Sequence, residues 1–242
     1  MSQKRTLRRS VKLLRAFRSE QSDPDRFYEL IASDAAALVG ERINLPRSRV
    51  VDIGGGAGYF TKAFRAAGAE CFVAEPDAAE LSWRGTTPSG AVIGDGYSLP
   101  FRTGSADLVL SSNVLEHVRA PYRMIDELAR VARPGGYVWV SFTNWYSPWG
   151  GHETSPWHYL GGERAVERYE RRHGRAPKNR FGESLFPVHV GKTLRFVQRH
   201  PLLEVVEAAP RYHPGFARGV VRVPGVRELV TWNLELLLRR RG

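Results

Sequence analysis

A single cysteine, Cys71, is present among 242 residues. That excludes an internal disulfide and a thiolate-rich metal centre. It lies in the apolar run Cys71-Phe72-Val73-Ala74, where an inert, buried thiol is expected. Long hydrophobic runs are missing too. None approaches the roughly 18 residues of a membrane span, and no apolar stretch follows the basic N-terminus to form a secretory signal. The expected location is the cytoplasm. Acid is absent from one end of the chain: residues 1–19 hold Lys4, Arg5, Arg8, Arg9, Lys12, Arg15 and Arg18 and no Asp or Glu, so most of the formal net charge of +11 sits there. Such a patch favours a polyanion, whether phospholipid surface, nucleic acid or phosphorylated substrate.

Within that segment Leu7, Val11, Leu14 and Phe17 recur at helical spacing, with the cations mostly around the other faces. Two readings follow. The helix lies on an anionic membrane face through residues 4–18, or it caps the domain with its apolar stripe while its arginines are solvated. Asp23-Pro24 then reads as an N-cap and first-turn proline, starting a second helix that runs to about Val39 before Gly40.

The central stretch is Val50-Val51-Asp52-Ile53-Gly54-Gly55-Gly56-Ala57-Gly58-Tyr59-Phe60. It reads as a strand, a glycine turn and the opening of a helix from Tyr59 to Ala67. Glycines let backbone approach a ligand closely, and the helix start aims N–H groups at it. A dinucleotide fingerprint would need a third glycine where Tyr59 stands. The glycines fall instead at Gly54, Gly56 and Gly58, two residues after Asp52. A ligand-free turn and a degenerate nicotinamide site are the competing readings of this stretch alone.

Strands are expected at Arg49 to Ile53, Glu70 to Ala74, Ala91 to Ile93, Ala106 to Ser111, Tyr137 to Phe142, Leu202 to Ala208 and Trp232 to Arg239. Their alternation with helical patterns, among them Pro121 to Ala132, implies right-handed βαβ units and a parallel sheet. An open parallel sheet binds its ligand beyond the C-terminal ends of its strands. Polar residues stand at those ends. Glu75 follows the second strand and can accept both hydroxyls of a ribose; Asp95 follows the third and can accept from an adenine amine. Ser111, Ser112 and Asn113 follow the fourth.

The run Asp-x-Gly-x-Gly-x-Gly resembles the first motif of the class I S-adenosylmethionine (SAM) methyltransferases. Gly94 to Phe101, Ala106 to Ser111 with Leu115-Glu116-His117-Val118, and Glu127-Leu128 through Arg133-Pro134-Gly135-Gly136 look like successive motifs of their ubiquinone-biosynthesis-like branch. The match spans about residues 49–142. The resemblance implies a Rossmann-like, seven-stranded, mostly parallel sheet with an antiparallel last strand and helices on both faces. It implies SAM as cofactor, with Asp52, Gly54, Gly56 and Gly58 shaping its pocket, Glu75 on the ribose, Asp95 on the adenine amine and Gly96-Tyr97 against the adenine. Ser112 then faces the methionine moiety. The parts expected are an N-terminal helical cap (1–46), a SAM-binding core (47–142), an aromatic and basic lid (143–188) and a C-terminal part of the core (189–242).

Residues 143–187 are dense in Trp, Tyr, Gly, Pro and His, with a mixed-charge helix from Glu163 to Arg172. Long irregular segments in compact domains are commonly lids or binding loops, and these aromatics suit an apolar or sugar-bearing acceptor; a satellite core under a long loop is the compatible alternative. Gly191-Lys192-Thr193 is not a P-loop, because Phe186 stands where its first glycine belongs. An oxygen acceptor must lose a proton, and histidine is the natural base near neutral pH. His152, beside Glu153, and His189 are the expected catalytic residues. His117, inside the generic Leu-Glu-His-Val run, reads as structural. No metal is expected, since His152 and His158 have no evident third ligand. The function expected is methyl transfer, to oxygen, of a small-molecule or lipid-linked acceptor, on the inner membrane face if the N-terminal helix docks there. An RNA methyltransferase and a non-catalytic SAM-fold interaction protein are the alternatives, and no recognisable RNA-binding module is present.

Overall fold

The computed structural model describes residues 5–18, 23–82 and 87–242. The strands are β1 (Arg49–Ile53), β2 (Glu70–Glu75), β3 (Ala91–Ile93), β4 (Ala106–Ser112), β5 (Ala132–Thr143), β6 (Leu203–Pro210) and β7 (Asn233–Arg240). They form one sheet in the order β3-β2-β1-β4-β5-β7-β6. Neighbours from β3 to β5 pair in parallel, while β7 runs antiparallel to both β5 and β6. The chain order therefore reverses direction on either side of β1, leaving the crevice where a ligand binds such a sheet.

Side chains alternate between the two faces of a strand, and each face has its own core. Val51, Ile53, Val109, Val138 and Val140 pack with Met124, Ile125 and Leu128 of α5 (Pro121–Val131) and with Leu194 and Val197 of α7 (Val190–Arg199). Val50, Leu108, Leu110 and Trp139 face the other way. They pack against Leu13 of α1 (Leu7–Arg18), Phe27 and Ile31 of α2 (Pro24–Gly40), and Phe60 and Phe64 of α3 (Tyr59–Ala66). Cys71 is buried and free, as expected. The α2 start is also as expected: the Asp23 side chain accepts from Arg26 N–H and Pro24 opens the helix.

Two elements differ from the sequence expectation. The α5 helix stops at Val131, because Ala132 is extended and pairs with Ala106. Register then jumps to Leu108 opposite Tyr137, so Arg133 to Gly136 bulge inside β5 instead of preceding it; Gly135, at φ 74°, supplies the left-handed turn. The second difference is α1. Its apolar stripe does not all pack on the domain, since Leu7 is 63% exposed and Val11 39%. The face it buries carries Arg9, Ser10 and Leu13, and Arg5, just before the helix, is buried with them. Arg5 pairs with Glu235 of β7 and with Glu207 of β6 at 3.3 Å, and Arg9 pairs with Asp34 of α2. Two of the arginines expected in solvent thus cross-link the helix to the sheet and to α2. Lys4 and the side chain of Arg18 lie outside the described residues.

Candidate active site

The glycine turn after β1 has a closed side and an open side. A Cβ on Gly54 (φ 70°) would stand 2.5 Å from Val114, and one on Gly55 2.5 Å from the Asp52 carboxylate. A Cβ on Gly56 (φ 48°) would meet nothing within 4 Å. The turn is therefore walled by protein at its first two glycines and open at the third, as a cradle for a ligand is. Asp52 braces it from beneath. Fully buried, its carboxylate accepts from Thr61 N–H at 3.1 Å and from the Thr61 hydroxyl at 2.9 Å, fixing the first turn of α3. Burial raises its pKa to about 7, against the pull of those two hydrogen bonds. Asp52 thus shapes the loop from beneath.

Glu75, the last residue of β2, reaches the open side. One carboxylate oxygen accepts from Gly56 N–H at 3.1 Å and the other from Asp77 N–H at 3.4 Å. Burial raises its pKa above the usual carboxylate value. Gly94 N–H donates to the Glu75 carbonyl, so the turn after β3 sits alongside. There Asp95 accepts from Tyr97 N–H at 2.9 Å, and the Tyr97 hydroxyl accepts from Ala120 N–H at 2.9 Å. Gly96 packs against Met124, where a Cβ would stand 3.3 Å from its sulfur. The predicted residues Gly54, Gly56, Gly58, Glu75, Asp95, Gly96 and Tyr97 thus converge at one end of β1, β2 and β3.

Ser112 is differently employed. Its hydroxyl meets the Ser141 hydroxyl at 3.2 Å and accepts from the Arg211 guanidinium at 3.0 Å. Arg211, fully buried, also donates to Ser141 and to the Ile31 carbonyl and lies 5.3 Å over Trp139. This buried arginine binds the ends of β4, β5 and β6 together. Nothing in its sequence neighbourhood marked it.

Beyond the ends of β4 and β5 a second group of residues gathers. Glu116 is buried, with one oxygen accepting from Thr143 N–H at 2.8 Å and the other, Oε2, without a hydrogen-bond partner. His117 is held through Nδ1 at 2.8 Å from the Ser184 carbonyl. His152 comes in from the 144–188 segment with φ 50°, a conformation rare outside glycine, and its ring meets that of His117 edge to face at 5.1 Å. Its Nδ1 is buried and unpartnered. The donor atoms of Glu116, His117 and His152 lie within 4.8 Å of one another. Burial, then the neighbouring His117, lowers the His152 pKa, which keeps the imidazole neutral and able to accept a proton. The sequence singled out His152 and assigned His117 to structure. Its missed partner, Glu116, stands in the turn Leu115–His117 that follows the fourth strand, at the end of the sheet where chemistry is expected.

The other expectations separate. His189 stacks on Tyr146 at 5.0 Å, and burial lowers its pKa, with Glu228 and Lys192 as the charges that act on it. His158 is structural: its ring nitrogens meet the Trp145 carbonyl at 3.0 Å and the Ser155 hydroxyl at 3.3 Å. Glu153 accepts from the Asn179 N–H and side-chain amide, and its charge acts on His152 against the effect of burial. The aromatics of residues 144–188 pack partly on one another and partly on the rest of the domain. Trp145 contacts His158 and Phe181, and Trp149 contacts Phe17 and Trp232. Tyr146, Trp157 and Tyr159 remain exposed.

A doubly wound sheet of this order, a cradle at the first glycine turn and an acid at the next strand end define a class I methyltransferase fold. Comparison with known proteins agrees. A family model for a methyltransferase domain matches residues 51–140. An uncharacterized methyltransferase of Mycolicibacterium gilvum (strain PYR-GCK) is 49% identical, the match covering 97% of this chain and 95% of that protein. Another, from Mycobacterium marinum (strain ATCC BAA-535 / M), is 45% identical over 98% and 96%. A solved S-adenosylmethionine dependent methyltransferase from Mesorhizobium loti shares the fold, with a TM-score of 0.57 at 19% identity over 88% of this chain and 98% of that one. The chain belongs to the class I SAM-dependent methyltransferases and is an enzyme of that family. The matches carry the family and not the ubiquinone-biosynthesis-like branch. The family and fold imply SAM as cofactor. No helix among the described residues is long and apolar enough to cross a membrane.

Proposed function

We propose that this enzyme methylates a hydroxyl oxygen of a small-molecule or lipid-linked acceptor, with envelope lipid chemistry as the favoured setting. The observation that carries the reading is the Glu116–His117–His152 cluster beyond β4 and β5. When bound, SAM supplies a methyl group already activated on a sulfonium centre. The open turn at Gly56 admits the cofactor, the Glu75 carboxylate is disposed to accept from ribose hydroxyls, and Asp95 with Tyr97 borders the adenine side. Alignment and exclusion of water supply much of the remaining rate, and the packed aromatics of residues 144–188 provide the cover. A hydroxyl acceptor must still surrender a proton. His152, neutral by burial, is placed to take it, with the orphaned Glu116 oxygen close enough to stabilise the imidazolium that results. His117, pinned by Ser184, fixes the approach of His152. His189, stacked on Tyr146, borders the acceptor side as a weaker candidate for the same role.

Labelled SAM incubated with enzyme and a fractionated cell extract tests the reading. Label in the lipid or small-molecule pool supports it, and insensitivity to a chelator supports histidine as the proton acceptor. Label confined to RNA replaces the acceptor; activity that disappears with the chelator and returns with a divalent cation replaces the base.

A further inference from the structure

The β6 and β7 strands are joined by residues 211–232, which include a 3₁₀ helix, Gly215–Arg222, and the short helix α8 (Val226–Val230). Since β6 runs parallel to β5, this connection leaves the sheet at the same end as the glycine turn and the Glu116 cluster. It displays apolar side chains to solvent: Phe216 is 85% exposed and Leu229 61%, with Val223, Val226 and Val230 also exposed. The cations between them are Arg218, Arg222 and Arg227, of which Arg218 pairs with Glu207 and Arg227 with Glu228. The acids nearby are already engaged. Glu207 is shared by Arg5, Arg42 and Arg218, and Glu228 accepts from Val190 and Gly191 N–H.

The α1 helix runs beside this connection. Gly215 N–H donates to the Arg5 carbonyl at 2.7 Å, and Phe17 packs on Tyr212 and Trp149. Anchored by the ion pairs of Arg5 and Arg9, α1 turns Leu7 and Val11 outward together with Arg8, Lys12 and Arg15. No ion pair engages those three cations among the described residues. A helix held by buried arginines as well as by Leu13 and Phe17, with Leu7, Val11 and its remaining cations outward, departs from an ordinary cap helix, whose whole apolar stripe packs inward.

We infer that the outward face of α1 and the 211–232 connection form one docking surface for an anionic phospholipid bilayer. Exposed apolar side chains interleaved with cations, of which Arg8, Lys12 and Arg15 have no ion pair among the described residues, match the two requirements of an interfacial binder, burial in the acyl boundary and attraction to anionic headgroups. A polyanion such as RNA would use the cations and leave Phe216 and Leu229 in water. Placed at the ligand end of the sheet, the surface would bring the acceptor side against the membrane. The inference deepens the lipid-linked acceptor reading and rests on it for its purpose.

Co-sedimentation of the full chain with phosphatidylcholine vesicles, with and without phosphatidylglycerol, tests it without SAM or acceptor. Salt-sensitive binding to the anionic vesicles alone is expected. Arg8→Glu/Lys12→Glu/Arg15→Glu should weaken it by more than about 100-fold, and Phe216→Ser/Leu229→Ser by about tenfold. Both variants should keep the wild-type melting temperature and SAM affinity. Equal binding to neutral vesicles, no effect of Phe216→Ser/Leu229→Ser, or binding to RNA with none to anionic vesicles would each overturn the inference. Labelled lipid without vesicle binding would sink the docking surface and leave the lipid-linked acceptor reading standing; vesicle binding with a water-soluble labelled product would keep the docking surface and remove the lipid-linked acceptor.

Discussion

The glycine turn with Glu75 and the Glu116–His117–His152 cluster, the proposed cofactor and acceptor sides, are built by different means. On the cofactor side, backbone does the shaping: three glycines at positive φ, an Asp beneath the turn and a Glu at the next strand end, all within residues 52–75. On the acceptor side, side chains from distant parts of the chain meet. Glu116 and His117 follow β4, His152 comes from the long loop after β5, and Ser184 closes the group. A site made by local backbone tolerates little substitution but depends on few partners. One assembled over long range depends on every element that delivers a residue. The two sides should therefore fail separately.

The largest expected effect lies on the acceptor side. His152→Asn should lower kcat by about 10²–10⁴-fold and leave SAM affinity unchanged, measured by turnover and by calorimetry on one preparation. Because burial lowers its pKa from 6.5, wild-type His152 stays a base below that pH. The acid limb of kcat/KM should fall below pH 6.5 and vanish from the residual rate of the variant. On the cofactor side, Gly54→Ala drives a methyl into Val114 from a left-handed backbone and should cost about 2–4 kcal/mol of stability. Gly56→Ala, with open space around it, should cost about 1 kcal/mol while weakening SAM, since its methyl enters the cradle. Melting curves with and without SAM separate the two.

Glu75→Ala removes a carboxylate disposed to accept from ribose hydroxyls and should weaken SAM by about 10–100-fold. In the wild type, SAM affinity should decline as the solution is acidified through the raised Glu75 pKa, because protonation withdraws the acceptor.

The smallest effect expected is at Asp52. Its folded pKa, about 7, lies above the 3.8 of the unfolded chain. The folded state therefore holds a proton that the unfolded state releases, and stability from this group falls as pH rises from about 4 to 7. Asp52→Asn keeps an acceptor for Thr61 N–H and should flatten that slope, giving a melting temperature a few degrees above wild type at pH 8. A steeper slope in the variant would reject the buried-acid account of the turn.

The same contrast explains what could be read from the sequence. The parallel strands are short apolar runs between turn signals, so their positions follow from local pattern, and Glu75 and Asp95 follow from strand ends. The β5 bulge does not, because Arg133 to Gly136 reads as a turn before a strand and only the pairing of Ala132 with Ala106 places it within one. The orientation of α1 was equally hidden. Period alone aligns Leu7, Val11 and Leu14 toward a core, and what orients the helix otherwise is the placement of Glu235 and Asp34 opposite Arg5 and Arg9, more than 200 and 20 residues away respectively. Arg211 was missed for the same reason. His117 looked generic until His152, carried in by a loop of irregular backbone, came to rest against it.

One preparation of His152→Asn offers the most direct measurement, with SAM binding followed by calorimetry and methyl labelling of the fractionated extract followed in parallel with wild type. The account predicts SAM binding equal to wild type and labelling reduced by about 100-fold or more. Labelling at the wild-type level by the variant, or no SAM binding by the wild-type chain, would contradict it.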